Sequence, residues 1–117
     1  MSINSKLIIL ESPYAADTLK QHNLNVKYAR RCLKDSLDRG EFPFASHLLY
    51  TQKGVLNDKI PEEREKGILA GYAWMEHVQT VAFYMDHGIS PGMAKALAMT
   101  VVLNKRIDYR YLNKKED

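Results

Sequence analysis

Residues 80–93 read TVAFYMDHGISPGM, and the order of residue types in that stretch decides the fold. Thr80 to Tyr84 has the β-branched and aromatic content of a buried strand. Met85 to Ile89 turn off it. Ser90-Pro91 is a helix start, a hydroxyl cap followed by a proline whose missing N–H is no loss at that position. Ala94, Leu97, Ala98, Val101 and Val102 supply an apolar face for the helix. Gly88 and Gly92 permit close backbone approach, and the free N–H groups of the helix start suit a phosphate or a hydroxyl. The turn from Asp86 to Met93 is therefore expected to form part of a ligand site. The competing reading is plain punctuation between strand and helix.

Working outward, Lys6 to Glu11 (KLIILE) is an aliphatic run with apolar residues on both faces, as in the centre of a parallel sheet. It stops at Ser12-Pro13-Tyr14, and Asn23 or Asn25 can cap the helix that follows. In that helix Ala29, Cys32, Leu33, Ser36 and Leu37 form one face, with Gly40 as its stop. Phe42 to Ser46 is a second strand, weakened by Pro43. His47 to Lys59 is a long connection without a clean period, and Pro61 opens a helix that buries Ile68, Gly71, Trp74, Met75 and Val78. Ile107 to Leu112 is a fourth strand, and Asn113 to Asp117 a charged tail. The order β-α-β-α-β-α-β with right-handed crossovers predicts an α/β fold. It is a three-layer sandwich, flavodoxin- or Rossmann-like, with a parallel sheet of four to five strands in the order 2-1-3-4. The carboxyl ends of the first and third strands then lie side by side, where open sheets place ligands.

A chain of 117 residues with 45% hydrophobic and 26% charged residues fits one globular domain, residues 1–117 with its core at about 6–112. Seventeen basic against 14 acidic side chains give +3. That suits an anionic small molecule and falls short of the dense basic stripe of a DNA or RNA binder. One cysteine, Cys32, excludes an intrachain disulfide. No apolar run approaches the roughly 20 residues of a membrane span, and no signal peptide is legible, so a cytoplasmic protein without a membrane partner is expected.

Three segments converge on the expected site: Ser12-Pro13-Tyr14, the connection from His47 to Asp58, and the turn from Asp86 to Met93. His47 and Tyr50 either orient a base or ribose or are structural. Asp58 either binds a ribose hydroxyl or caps the helix at Pro61. Arg64, and Arg30 beside it in the reading, either meet a phosphate or pair with a carboxylate on the surface. Trp74 and Tyr72 read as core and interface. The four histidines show no metal-ligand spacing with Cys32, so no zinc and no other cofactor is expected. There is no GxGxxG, no phosphate loop and no supported Ser-His-Asp grouping.

ESPYA, YARRCLKDSLDRGE, PFASHLLYTQKGVLND, PEEREKGILAGYAW and DHGISPGM together resemble phage and prophage proteins of uncharacterised-domain type, related to the nucleoside 2-deoxyribosyltransferase-like superfamily. The resemblance spans roughly Lys6 to Leu112. It implies a flavodoxin-like sheet and a homo-oligomer with pockets near a subunit interface. It also implies N-glycosidic chemistry, in which a glutamate attacks the anomeric carbon and a nearby carboxylate helps to protonate the departing base. The superfamily turn commonly reads Ser-x-Gly-x-x-x-Glu. Ser90 and Gly92 match it, whereas the glutamate position falls on Ala96, which cannot be a nucleophile. Asp86 matches the carboxylate before the turn, and is the catalytic candidate if the protein is an enzyme; Tyr14 stands for the aromatic of the first loop. Glu11, Asp17 or Asp58 can replace the glutamate only if the fold brings one of them to the reacting carbon.

The expected function is thus capture of a nucleoside, nucleotide or ADP-ribose-like ligand without turnover. In a phage its sharp form is an anti-defence sponge for a host nucleotide immune signal. The expected ligand-binding residues are Ser12, Pro13, Tyr14, Asn25, His47, Tyr50, Asp58, Arg64, Asp86, Gly88, Ser90, Gly92 and Met93. The alternatives are an N-glycosidase or deoxyribosyltransferase with a displaced carboxylate, and an interaction protein with a vestigial pocket.

Overall fold

The computed structural model of the chain describes residues 3–113. Met1, Ser2 and the part of the expected charged tail from Lys114 to Asp117 lie outside the described residues. After a 3-10 turn at Ile3–Lys6 come β1 (Leu7–Glu11), α1 (Leu19–Asp38), β2 (Phe42–Phe44) and α2 (Ser46–Leu49). They are followed by α3 (Pro61–Met75), β3 (Thr80–Tyr84), α4 (Pro91–Val102) and β4 (Arg106–Arg110). The strands pair in parallel in the order β2-β1-β3-β4, the Rossmann-like α/β arrangement the sequence implies. β1 and β3 lie in register from Ile8 opposite Thr80 to Glu11 opposite Phe83. Pro43 is tolerated because β2 is an edge strand. Among the described residues no helix is long and apolar enough to cross a membrane.

Alternate strand residues enter two separate clusters, as the period of two requires. Ile8, Leu10, Ala82 and Tyr84 pack with Tyr28 and Cys32 of α1. Ile9, Val81 and Phe83 pack with Met75 of α3 and with Met93 and Ala96 of α4. Glu11 continues the parity of Ile9, so the last side chain of β1 belongs to the α3 and α4 side.

Several helix expectations need correction. α1 begins at Leu19, six residues before Asn25, because Thr18 caps it: its hydroxyl accepts from the Gln21 amide at 3.1 Å. Asn23 and Asn25 lie inside the helix and cap nothing at its start. The buried stripe of α1 is Asn25, Tyr28, Ala29, Cys32 and Ser36, whereas Leu37 is exposed. Ser36 is buried at no loss because its Oγ donates to Glu41 at 2.8 Å. In α4 the buried residues are Met93, Ala96 and Thr100, while Ala94, Ala98, Val101 and Val102 face outward. A helix that is apolar nearly all round carries no period from which to choose its buried face. Thr100 fits inside because its hydroxyl donates to the Ala96 carbonyl at 2.7 Å. Trp74 is half exposed: its Nε1 donates to the Tyr50 hydroxyl at 2.8 Å, and its ring leans on Phe44 at 5.2 Å.

On the α1 side a buried cation ties the edges of the fold together. Arg110, 4% exposed, donates from both Nη atoms to the two oxygens of Glu41, each at 2.7 Å, and from Nε to Asp108 at 2.8 Å. The Tyr84 hydroxyl lies beside it and donates to Asp35 at 2.7 Å. Breaking a buried pair from one side leaves a stranded charge and costs about 3–5 kcal/mol, while an apolar replacement of both partners is often neutral. Glu41→Ala is therefore expected to lower the unfolding free energy by about 3 kcal/mol. Combining Glu41→Leu with Arg110→Met should recover most of that loss in urea denaturation.

Candidate functional site

A cavity of about 190 Å³ opens at the carboxyl end of β1. Its walls are Glu11, Ser12 and Tyr14 at the end of β1, Ser46 and His47 of α2, the Gly67, Ile68, Gly71 and Tyr72 face of α3, and Ser90 to Met93 with Lys95 and Ala96 at the start of α4. Its position follows from the topology. The chain leaves β1 toward β2 on one side and returns to β3 on the other, so the connections diverge and leave a crevice between them. Two glycines one turn apart on α3 let neighbouring side chains approach. A Cβ on Gly71 would stand 2.7 Å from Ser46 Oγ, and one on Gly67 3.4 Å from Leu56 Cδ1.

Of the residues expected to bind ligand, the structure gathers Ser12, Tyr14, His47, Tyr50, Asp58, Arg64, Ser90, Gly92 and Met93 around this one cavity. Asp58 pairs with Arg64 at 3.0 Å and does not cap α3, whose N-cap Ile60 makes no side-chain bond. Ser90 caps α4, its Oγ accepting from the Met93 amide at 3.2 Å. Asn25 acts from behind the wall: its Nδ2 donates to the carbonyls of Tyr14 and Ala15 at 3.1 and 3.5 Å and holds the first loop in place. Pro13 and Gly88 are not among the lining residues. Gly88 has φ +76° and closes the turn by donating to the Met85 carbonyl, so a glycine is required there by the backbone alone. Arg30 lies on a separate open groove beside β2, with Leu33 and Phe44.

Asp86 is also outside the cavity lining, and its carboxylate is fully engaged. It accepts from the Tyr28 hydroxyl at 2.6 Å and from the backbone amides of Leu112 and Asn113 at 2.9 and 3.0 Å. Burial raises its pKa, but these donors outweigh it and hold the group below the usual carboxylate value. Asp86 is thus a brace between the ends of β3 and β4. The aspartate before the turn signals this brace as readily as a catalytic acid, which is why sequence alone does not separate the two.

Of the three carboxyls that line the cavity, Asp58 pairs with Arg64 and Glu63 accepts from the Asn57 amide, which leaves Glu11. Among the described residues no hydrogen bond or ion pair reaches it, and burial pushes its pKa up to about 8. It therefore carries a proton at neutral pH. His47 is the second unusual group. Burial pulls it down to about 4, so the ring is neutral; Nε2 meets Ser12 Oγ at 2.9 Å, and Nδ1 is buried without a partner among the described residues. Tyr72, near enough to Glu11 to feel its charge, completes the α3 wall, and Lys95 stands at the α4 wall. Among the described residues no group of three or more His, Cys, Asp and Glu is placed to hold a metal ion.

Two predictions follow from this geometry. Glu11 keeps its proton to about pH 8 when folded but ionises near 4.5 in the unfolded chain, so its contribution to stability is complete below 4.5 and is lost as pH rises to about 8. His47 acts in the opposite sense between about 4 and 6.5, so the loss due to Glu11 shows most clearly from pH 6.5 to 8. Glu11→Gln should be more stable than the parent at pH 8, by a margin that shrinks to nothing near pH 4, as measured by urea denaturation across that range. Gly71→Ala should destabilise by about 1–3 kcal/mol of overpacking, offset by up to about 1 kcal/mol of helix propensity. Ser46→Ala, which deletes the nearer clashing atom, should recover part of the difference.

No curated protein matches the chain. One family model does, over residues 6–110, from the last residue before β1 to the end of β4 and with every cavity residue inside the match. The chain belongs to the family described as Domain of unknown function (DUF7768).

Proposed function

We propose that the cavity binds a nucleoside- or nucleotide-type ligand, an ADP-ribose-like one included, and holds it without cleaving it. The observation that carries this reading is Ala96. It is 4% exposed and lines the cavity, so the wall where the resembling enzymes carry an attacking glutamate presents a methyl group here. Size narrows the ligand. Sites that enclose a drug-sized molecule measure roughly 300–1,000 Å³, and about 190 Å³ takes a single base or sugar. Phosphates then extend over the rim, where Lys95 and the α4 amino terminus offer positive charge. A protein that retains such a ligand intact removes it from solution. In a phage setting that is a sponge for a nucleotide signal of the host, acting in the cytoplasm. The half-exposed Trp74 and the outward Val101 and Val102 offer apolar surface for self-association into a homo-oligomer.

A second reading, residual N-glycosidase or deoxyribosyl transfer, is favoured by one observation only: the proton-bearing Glu11 shares the cavity. The two readings separate in one experiment. Titration calorimetry with nucleosides, nucleoside monophosphates and ADP-ribose should show binding at micromolar concentration, and chromatography of the same samples should show no free base after prolonged incubation. His47→Ala should weaken binding by about tenfold, the worth of roughly one hydrogen bond. Asp86→Asn should lower stability by about 1–3 kcal/mol and leave affinity unchanged. Release of free base that Glu11→Gln abolishes would establish the enzyme instead.

A further inference from the structure

Glu11 does not behave like the other half-buried acidic groups of this protein. Glu41 and Asp86 are each met by a guanidinium or by several N–H and O–H donors, and both are held below their ordinary pKa values. Glu11 has no such donor among the described residues, and its position is not an accident of a loose loop. It is the last residue of the central strand β1, locked opposite Phe83 in β3, and shares the parity of Ile9, which packs under α3 and α4. Buried polar groups without partners are uncommon in folded proteins and call for an explanation. One lines this cavity, the Nδ1 of His47, and the half-buried Glu11 carboxyl, without a donor among the described residues, shares the lining with it.

The titratable and charged groups that share the cavity lining with Glu11 are Tyr72, Glu63 and Arg64 from α3, Lys95 from α4, His47 and Tyr50 from α2 and its C-cap, and Asp58 ahead of α3, with Tyr14 across the first loop. Arg64 is committed to Asp58 at 3.0 Å. His47 is neutral, and desolvation is the cause that dominates the state of Glu11. The Glu11 wall of the cavity therefore presents a neutral acid, not an anion. A neutral carboxyl has a particular recognition chemistry. It holds one O–H donor and one C=O acceptor side by side in a plane. That pair matches an adjacent acceptor and donor on an amide or amidine edge, the feature that nucleobases have and that sugars and phosphates lack.

We propose that Glu11 reads the base of the ligand: its carboxyl pairs with the amide or amidine edge of a nucleobase held in the cavity, and the sugar and phosphate lie toward the rim. This inference rests on the nucleotide-binding reading above and adds to it which part of the ligand is enclosed and what selects it. No bond is made or broken; the proton stays on Glu11 and is shared with the base. His47 Nδ1 supplies a second polar contact to the same enclosed moiety.

The test uses the full chain, its Glu11→Gln and Glu11→Ala variants, and three probes: adenosine, cytidine and ribose 5-phosphate. Neither base changes charge between pH 7 and 9.5. Calorimetry of the parent protein should show both nucleosides bound more tightly than ribose 5-phosphate, with affinity falling by about thirtyfold from pH 7 to pH 9.5 as a group titrating near 8 loses its proton. Glu11→Gln keeps a donor and an acceptor in the same plane, so it should retain the pH 7 affinity within about threefold and lose the pH dependence. Glu11→Ala should lose at least about tenfold. The inference is overturned if ribose 5-phosphate binds as well as the nucleosides, if Glu11→Ala binds unchanged, or if affinity rises with pH, the mark of a carboxylate holding a cation. Failure of all three probes to bind the parent would overturn the nucleotide reading as well. A readout without ligand separates the two: the ¹³C carboxyl resonance absent from Glu11→Gln should titrate near 8, and a midpoint below 6 overturns the neutral acid whatever the probes do.

Discussion

Backbone pairing from Ile8 opposite Thr80 to Glu11 opposite Phe83 holds β1 and β3 in parallel register, and the remaining elements take their places from it. Parallel strands cannot be joined by a tight turn, so each must be followed by a helix that returns to the amino edge. Because β2 lies on one side of β1 and β3 on the other, the segments after β1 and β3 leave the same edge in different directions. The first loop, α2, α3 and the start of α4 form the rim of the gap between them. The cavity is thus a consequence of strand order. What the individual side chains decide is what the cavity is lined with.

Polar groups divide sharply between the two sides of the sheet. On the α1 side, Arg110 is answered by Glu41 and Asp108, Tyr84 by Asp35, and Tyr28 by Asp86. Each is a buried or half-buried group with its partner in place, which is the condition for burying polarity without a large loss. On the other side Glu11 and the Nδ1 of His47 lie without partners among the described residues. Local stability gains nothing from either group, and Glu11 lowers it wherever the unfolded chain would ionise. Unsatisfied polarity in this crevice is what the proposed ligand would complete.

The strands were legible because aliphatic runs such as LIILE and TVAFY have few other uses in a domain of this size, and the strand order came from the crossover rule. Helix faces were less so. In α4 nearly every residue is apolar or small, so the choice among Met93, Ala96 and Thr100 or Ala94, Ala98 and Val101 is made by contact with β3, which no local pattern encodes. Thr18 with Gln21 three residues on did carry the signal of the α1 start, but two asparagines further along compete with it. At the site, Ser12, Tyr14, His47 and the Ser90 to Met93 start of α4 come from loops and junctions that the topology brings to one edge, so their convergence was readable. The roles of Asp86 and Glu11 were not. One depends on the amides of Leu112 and Asn113, far along the chain, and the other on being covered by α3 and α4. A glutamate at a strand end reads as a solvated terminus until its cover is known.

That cover also decides what kind of acid Glu11 can be. A carboxyl that attacks carbon must be ionised at working pH, and a buried ionised carboxyl needs donors to hold its charge. Asp86 shows, within the same molecule, what such support consists of: two backbone amides and a tyrosine hydroxyl, all between 2.6 and 3.0 Å. Glu11 has none of these among the described residues. A carboxyl so placed, with alanine at position 96 of the cavity wall, therefore lacks the support that an attacking group needs. It is suited instead to donate a hydrogen bond. On the proposed reading, a neutral acid and a methyl group in the cavity wall suit the ground state of an uncharged base, and binding of that kind would lower the energy of the intact ligand without lowering the barrier to its cleavage.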